Sequence, residues 1–352
     1  MFEQGVIRPP SEASSLLVRV TRNCPWNRCL FCPAYKGVAF SKRSVEEVKR
    51  DIDEMAVAYD RFSGRITTAF LQDADTLILP TEELVAILEH IKRRFPNIDR
   101  ITTYARAKSM KRKSVASYRA FKEAGLTRIH TGLESGSLRV LKMIRKGITP
   151  EDIVTGGQRV VEAGISLSEY IMPGIGGKTL SEEHALETAR LLNQIRPDFI
   201  RVRTFAMHPE SPMMNMVRDG VFIPMTDDEI VAEIRILLAN LDEMPSHFRC
   251  GDFSLNLLMH VDGPLDTRKA AMLEELDRFL ALSRRERQAY SLLHRSYPGY
   301  QRPLEVIRDK DLMKRLEEEI EKMESTGEEA FDAHIRMLMS YQLPQPQTDC
   351  WT

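Results

Sequence analysis

Between residues 15 and 208 the chain alternates short apolar or β-branched runs with longer segments whose apolar positions recur every three or four residues. The runs at 16–20, 66–71, 101–104, 127–131, 166–172 and 199–205 fit buried parallel strands, which are covered on both faces. Helix starts are marked between them. Ser44 and Glu47 form a capping-box pair ahead of Val48, Ile52 and Met55 at helical spacing. Pro80-Thr81 precedes Glu82 and Glu83, Thr149-Pro150 precedes Glu151 and Asp152, and Ser181 precedes Glu182 and Glu183. Each places acidic side chains at the positive end of a helix. Gly125 and Gly164 stand where helices should stop before the next strand. Six strand–helix units in order predict an α/β fold, a partial (βα)6 TIM-type barrel over residues 1–225.

Past Pro209 the pattern changes. Residues 226–241 form a capped amphipathic stretch, 250–263 carry no clear period, and 265–342 are charged and helical. The expectation is a mainly helical C-terminal extension over 226–352, ending in a Pro/Gln-rich irregular tail.

Composition narrows the function classes. The chain has 352 residues, 43% apolar and 29% charged, enough to bury a sizeable core. Its 50 Lys+Arg against 51 Asp+Glu leave a net charge of −1, which disfavours nucleic acid as a partner. The basic run at 108–113 reads as a solvated helix flank, and the 17 methionines as core filler. No apolar run is long enough for a membrane span, and the N-terminus has no apolar signal region, so the expected compartment is the cytoplasm.

Three of the five cysteines, Cys24, Cys29 and Cys32, fall in VTRNCPWNRCLFCP at 20–33, directly after the first strand. Barrel enzymes keep their chemistry on such loops. Three thiolates on one loop, with no His nearer than His90, suit an iron–sulfur cluster with one open iron. A structural zinc completed by a remote Cys or His stays open at this point. Cys250 and Cys350 stand alone; Cys250 with His260 makes a poor case for a second metal site.

The cysteine loop resembles that of the radical S-adenosylmethionine superfamily, in the subgroup of Elongator-type and oxygen-independent coproporphyrinogen oxidase-like enzymes. The resemblance covers residues 14–215. It implies a [4Fe–4S] cluster on Cys24, Cys29 and Cys32, with S-adenosylmethionine on the open iron, and places Phe31 near the adenine. One departure is the spacing: four residues separate Cys24 from Cys29, where three are usual. By resemblance, Gln72, Asp73 and Asp75 in FLQDAD meet the methionine amino group, and Tyr104 and Arg106 follow the third strand. Glu134 in TGLESGS meets the ribose with Ser135 beside it at the cofactor, Gly174 in MPGIGG allows close approach, and Arg203 takes the cofactor carboxylate. Arg201 shares its face.

The implied activity is reductive cleavage of S-adenosylmethionine to methionine and a 5′-deoxyadenosyl radical, which abstracts hydrogen from an unidentified substrate. Its electron donor would be a flavodoxin or ferredoxin. Two other readings remain: an iron–sulfur carrier that cleaves nothing, and a zinc-stabilised binding module. Only 23 residues precede Cys24, and no second cysteine run occurs, which disfavours a cobalamin-binding or methylthiotransferase N-domain and an auxiliary cluster. The helical extension is expected to cover the barrel mouth, with Asp252 and Asn256 near it.

Overall fold

In the computed structural model, residues 2–5, 7–298, 303–327 and 329–343 are described; Cys350 and the tail from 344 onward lie outside them. Eight strands form one sheet in chain order: β1 (Leu16–Arg19), β2 (Thr68–Gln72), β3 (Arg100–Ala105), β4 (Leu126–Glu134), β5 (Ser166–Ile171), β6 (Phe199–Val202), β7 (His247–Arg249) and β8 (Asp262–Pro264). Neighbours pair in parallel from β1 to β7, and β8 closes the series antiparallel to β7. Thr21–Arg22 and Ser41–Lys42 pair antiparallel where the cysteine loop leaves and returns.

The helices follow the capping signals. Helix α1 (Val45–Ala58) starts with the Ser44/Glu47 box, and α2 (Thr81–Arg94) with Pro80 as its cap residue. After β3 come α3 (Ala107–Arg112) and α4 (Val115–Glu123), and after β4 come α5 (Leu138–Met143) and α6 (Pro150–Glu162). Helix α6 opens with a Thr149/Asp152 box. Helix α7 (Gly177–Ile195) begins one turn before Ser181, whose hydroxyl is bonded to Glu233 rather than capping. Next come α8 (Met213–Arg218) and α9 (Asp227–Ala239), the latter opened by a Thr226/Glu229 box.

Side-chain alternation divides the sheet. One face, with Val18, Ala69, Leu71, Ile101, Ile129, Leu167, Ile200 and Val202, joins the main core against the helices. The other carries a continuous row of rings: Phe70 to Tyr104 at 5.1 Å, Tyr104 to His130 and His130 to Tyr170 at 6.1 Å, and Tyr170 to Phe253 at 6.0 Å. That row lines the inside of the partial barrel.

The division expected at residue 225 falls elsewhere. Helix α9 and strands β7 and β8 belong to the sheet and its packed layer, and α10 (Leu265–Leu280) contributes Leu265, Met272, Leu276 and Phe279 to the same core. A separate apolar core gathers α11 (Arg284–Ser296), α12 (Lys310–Glu324) and α13 (Ala330–Ser340) through Leu292, Leu316, Ile320, Phe331 and Ile335. The helical unit therefore begins near Arg284. Three-residue strands carry too little alternation to register in the sequence pattern.

Candidate active site

The cysteine loop is held from several sides. Asn23 and Asn27 take positive φ, +66° and +44°, a conformation asparagine tolerates better than most residues. The Asn23 amide donates to Asp73 at 2.8 Å, and Lys36 donates to the Asn27 and Cys29 carbonyls at 3.0 and 2.9 Å. The Leu30 amide donates to the Ile144 carbonyl at 3.0 Å, and Ser211 donates to the Leu30 carbonyl at 2.7 Å.

The unusual spacing has a local use. Trp26, within the four-residue stretch, donates from its indole to the Arg145 carbonyl at 2.7 Å and lies against Gly147. At Gly147, with φ +71°, a Cβ would sit 2.3 Å from the indole ring, so only glycine fits. The guanidiniums of Arg28 and Arg106 each lie 5.3 Å from the Trp26 ring. The longer loop thus bolts the cysteines to the turn after α5.

All three cysteines line one cavity of about 480 Å³ at the C-terminal ends of the strands. Burial raises the Cys29 thiol to about 11 against the pull of Lys146, and burial also raises Cys32. Such thiols become thiolates by ligation, since a coordinating metal displaces the proton. No group of three or more His, Cys, Asp or Glu among the described residues surrounds a single-ion position. Three thiols on one cavity wall suit a cluster held by three cysteines with one iron open to the cavity. Cys250 is buried in the main core, and His260 faces Glu275 at 3.3 Å.

Of the residues singled out in the sequence, Phe31, Tyr104, Arg106, Glu134 and Arg203 join the cysteines on the cavity wall. Gln72, Asp73, Asp75, Ser135 and Gly174 do not line it. Gln72 exchanges hydrogen bonds with Gly5 at 2.9 and 3.0 Å. Asp73 accepts from Arg19 and the Asn23 amide, and Asp75 from Ser109 at 2.6 Å and the Arg106 amide at 3.3 Å. Ser135 faces His184 at 2.8 Å, and the Gly174 amide donates to Glu233 at 2.7 Å. Between the two aspartates it is Ala74 that reaches the wall.

Glu134 ends β4 with φ +58° and folds back over Gly132, where a Cβ would lie 2.1 Å from its carboxylate. Its Oε1 accepts from Lys146 at 2.7 Å. Burial works to lower Lys146, but Glu134 and Cys29 prevail and keep it charged. The Lys146 ammonium also lies 5.6 Å from the Phe31 ring, tying both residues to the cysteine loop.

Arg203 lies just past β6, with its guanidinium 5.7 Å from the Phe253 ring and no carboxylate partner among the described residues. Arg201 differs: it is buried, donates to Ser168 at 2.9 Å and pairs with Asp252. Asn256 is buried and bridges Thr204 to the Val202 and Cys250 carbonyls, so its neighbours Phe253, Ser254 and Leu255 form the wall instead. Lys146, Tyr170, Met172 and Phe253 escaped the sequence reading. The two-residue alternation of β5 is the signal that places Tyr170 on the inner face.

The model of the Radical SAM superfamily matches residues 18–190, the barrel strands β1–β5 with their loops. Among curated proteins, an uncharacterized methyltransferase of Pyrococcus horikoshii is 27% identical over 194 residues, 55% of this chain and 40% of its own length. A tRNA uridine(34) acetyltransferase of Methanocaldococcus infernus is 23% identical over 111 residues, 31% of this chain and 21% of its own length. The chain thus spans less than half the length of these relatives. Among solved structures, the cobalamin-dependent S-adenosylmethionine radical enzyme OxsB, with aqua-cobalamin and S-adenosylmethionine bound, superposes with a TM-score of 0.52. The identity is 16%, over 92% of this chain and 58% of that one, a likeness of fold. The cysteine loop, the partial barrel and the matched strands together support a member of the radical S-adenosylmethionine superfamily.

Proposed function

We propose that this protein binds a [4Fe–4S] cluster through Cys24, Cys29 and Cys32 and cleaves S-adenosylmethionine reductively, to abstract hydrogen from a substrate held in the same cavity. The observation that carries this reading is the convergence of three loop cysteines, an uncommitted arginine and a strand-end carboxylate on one pocket. When bound, the cluster supplies one electron to the sulfonium and an open iron for the amino acid end of the cofactor.

The chain's own groups orient and enclose. Lys146 occupies Glu134 Oε1, leaving Oε2 without a donor among the described residues and suited to ribose hydroxyls. Arg203 offers a planar fork that matches a carboxylate. Phe31, Ile148 and Met172 give apolar surface for an adenine. The turns at Asp73 and Asp75 brace the cysteine loop and the start of α3. Leu255 and Leu343, tied to the C-terminal helical core, help close the cavity against water.

The electron donor is a small one-electron carrier such as a flavodoxin or ferredoxin, and the compartment is the reducing cytoplasm that free clustered thiols require. No helix among the described residues is long and apolar enough to cross a membrane.

Anaerobic reconstitution with iron and sulfide, followed by dithionite and S-adenosylmethionine, tests the reading. The expected result is about four irons per chain, a spectrum of the reduced cluster altered by the cofactor, and formation of 5′-deoxyadenosine. Iron loading with no spectral response and no nucleoside would leave a carrier; zinc without iron would leave a binding module.

A further inference from the structure

Residues 7–15, which carry no strand or long helix pattern in the sequence, run along the inside of the barrel. Near the strand ends Gly5 exchanges two hydrogen bonds with the Gln72 side chain, which also donates to the Ile7 carbonyl at 3.2 Å. Toward the strand starts Glu12, wholly buried, accepts from Ser15 at 2.7 Å, pairs with Arg100 at 3.2 Å and lies 3.6 Å from His130 on the inner face of β4. Ser15 in turn bonds Thr68 at 2.8 Å. Between these two anchors, Ile7, Arg8, Pro9 and Pro10 form part of the cavity wall. The two prolines fix the backbone there. Arg8 is exposed and makes no ion pair among the described residues.

The charge of the cavity asks for a partner. Arg8, Arg106, Lys146 and Arg203 line it, against Glu134 as its carboxylate. An oxidised cluster with its three thiolates carries one net negative charge, and S-adenosylmethionine one net positive charge. The two cofactors therefore cancel and leave the cationic excess in place. Lys146 is matched by Glu134, and Arg106 is stacked on Trp26 and donates to the Lys146 carbonyl at 3.3 Å. Arg8 stands uncommitted on the strap.

Resting on the cofactor assignment above, we infer that the substrate is a small molecule bearing a phosphate or carboxylate, and that Arg8 on the N-terminal strap binds this oxyanion. A guanidinium fork suits either group. The small-molecule class follows from the site's form: a bounded cavity walled by the strap on one side and by Gln342 and Leu343 on another. The basic run at 108–113 offers little to a polymer, because Lys111 is paired with Glu151 and Asp152 and Lys113 donates to the Leu79 carbonyl.

The test is calorimetric titration of the full chain with inorganic pyrophosphate and with citrate, beside Arg8→Gln and Arg8→Lys. Expected is saturable binding of at least one anion, weakened tenfold or more in Arg8→Gln and by less in Arg8→Lys. Because Arg8 is exposed, neither change disturbs the fold. Equal binding by wild type and Arg8→Gln, or none by wild type, overturns the inference. So does tighter binding of a short single-stranded RNA than of either small anion. The cluster's spectral response to S-adenosylmethionine, measured on wild type, separates the failures. A response without anion binding sinks the inference alone, and a missing response sinks the cofactor assignment.

Discussion

The end of β2 and the end of β4 look alike in sequence: each is a buried strand running into acidic and small residues where a barrel enzyme keeps its chemistry. The folded chain treats them differently. Asp73 accepts from Arg19 at 2.9 and 2.7 Å and from the Asn23 amide at 2.8 Å, and Asp75 is taken up by Ser109 and the Arg106 amide. Burial pushes both carboxyls up, Asp75 to about 6, against these donors. Among the described residues Glu134 has a single donor, Lys146, and it lies on the cavity. All three donors to Asp73 meet its Oδ2, and its Oδ1, without a partner among the described residues, is buried against Gly5 off the cavity. Neither aspartate therefore offers an oxygen to a ligand there, whereas Glu134 does. Donor inventory together with access to the cavity separates the two where residue type does not.

The sharpest way to break this contrast is at Asp73. Removing Asp73 leaves the Asn23 amide without its acceptor, while Arg19 keeps Glu3 at 2.7 Å, so the cost is about 2–3 kcal/mol. Asp73→Ala is expected to lower the urea midpoint accordingly and to loosen the cysteine loop through Asn23. Spectral titration of the loaded protein that survives should give an affinity for S-adenosylmethionine within twofold of wild type. If affinity collapsed while stability held, Asp73 would be a ligand and the contrast void.

Asp75→Asn is milder. It keeps the shape and one acceptor, so the expected loss is about 1–2 kcal/mol, read by the same urea titration, again with no change in cofactor affinity.

Glu134→Gln reverses the signature. The amide keeps the side chain's shape but leaves Lys146 buried beside the cysteines without its counter-charge. Affinity for S-adenosylmethionine is expected to fall about tenfold, about 1.4 kcal/mol, while the iron content stays at the wild-type level. Unchanged affinity in the loaded variant would remove Glu134 from the proposed cofactor contacts.

What could be read in the chain was local. The capping boxes at Ser44, Thr149 and Thr226 act over three residues, and the six strands carry their own apolar runs. The cysteines lie together in sequence, and Glu134 and Arg203 come at or just past strand ends. What could not be read depended on partners far along the chain. Nothing near Asp73 announces Arg19, and nothing near Glu134 announces Lys146 beyond the intervening helix. The strap over the cavity carries one short turn at Pro10–Glu12 and no longer periodic element, and its anchors are distant: Gln72, Arg100 and Thr68. Strands β7 and β8 were too short to show a period.

The least direct test concerns a carboxyl one layer behind the cavity. Glu233 on α9 accepts from the Gly174 amide at 2.7 Å and from Ser181 at 2.6 Å, and burial pushes it to about 7 from its ordinary 4.5. The folded chain then keeps a proton that the unfolded chain releases, so this group's contribution is full below pH 4.5 and fades as pH rises through about 7. His184, 3.6 Å from Glu233, is held down to about 4 by burial and contributes with the opposite sign, gaining from about pH 4 to 6.5. Glu233→Gln removes only the carboxyl's titration and leaves that of His184 in both proteins. Urea unfolding at pH 5 and pH 8 should therefore show the variant gaining about 2 kcal/mol on wild type at the higher pH. A difference that stays flat between the two would mean that Glu233 is already ionised in the folded chain, and that its place behind Gly174 resembles Asp73 more than a neutral buried acid.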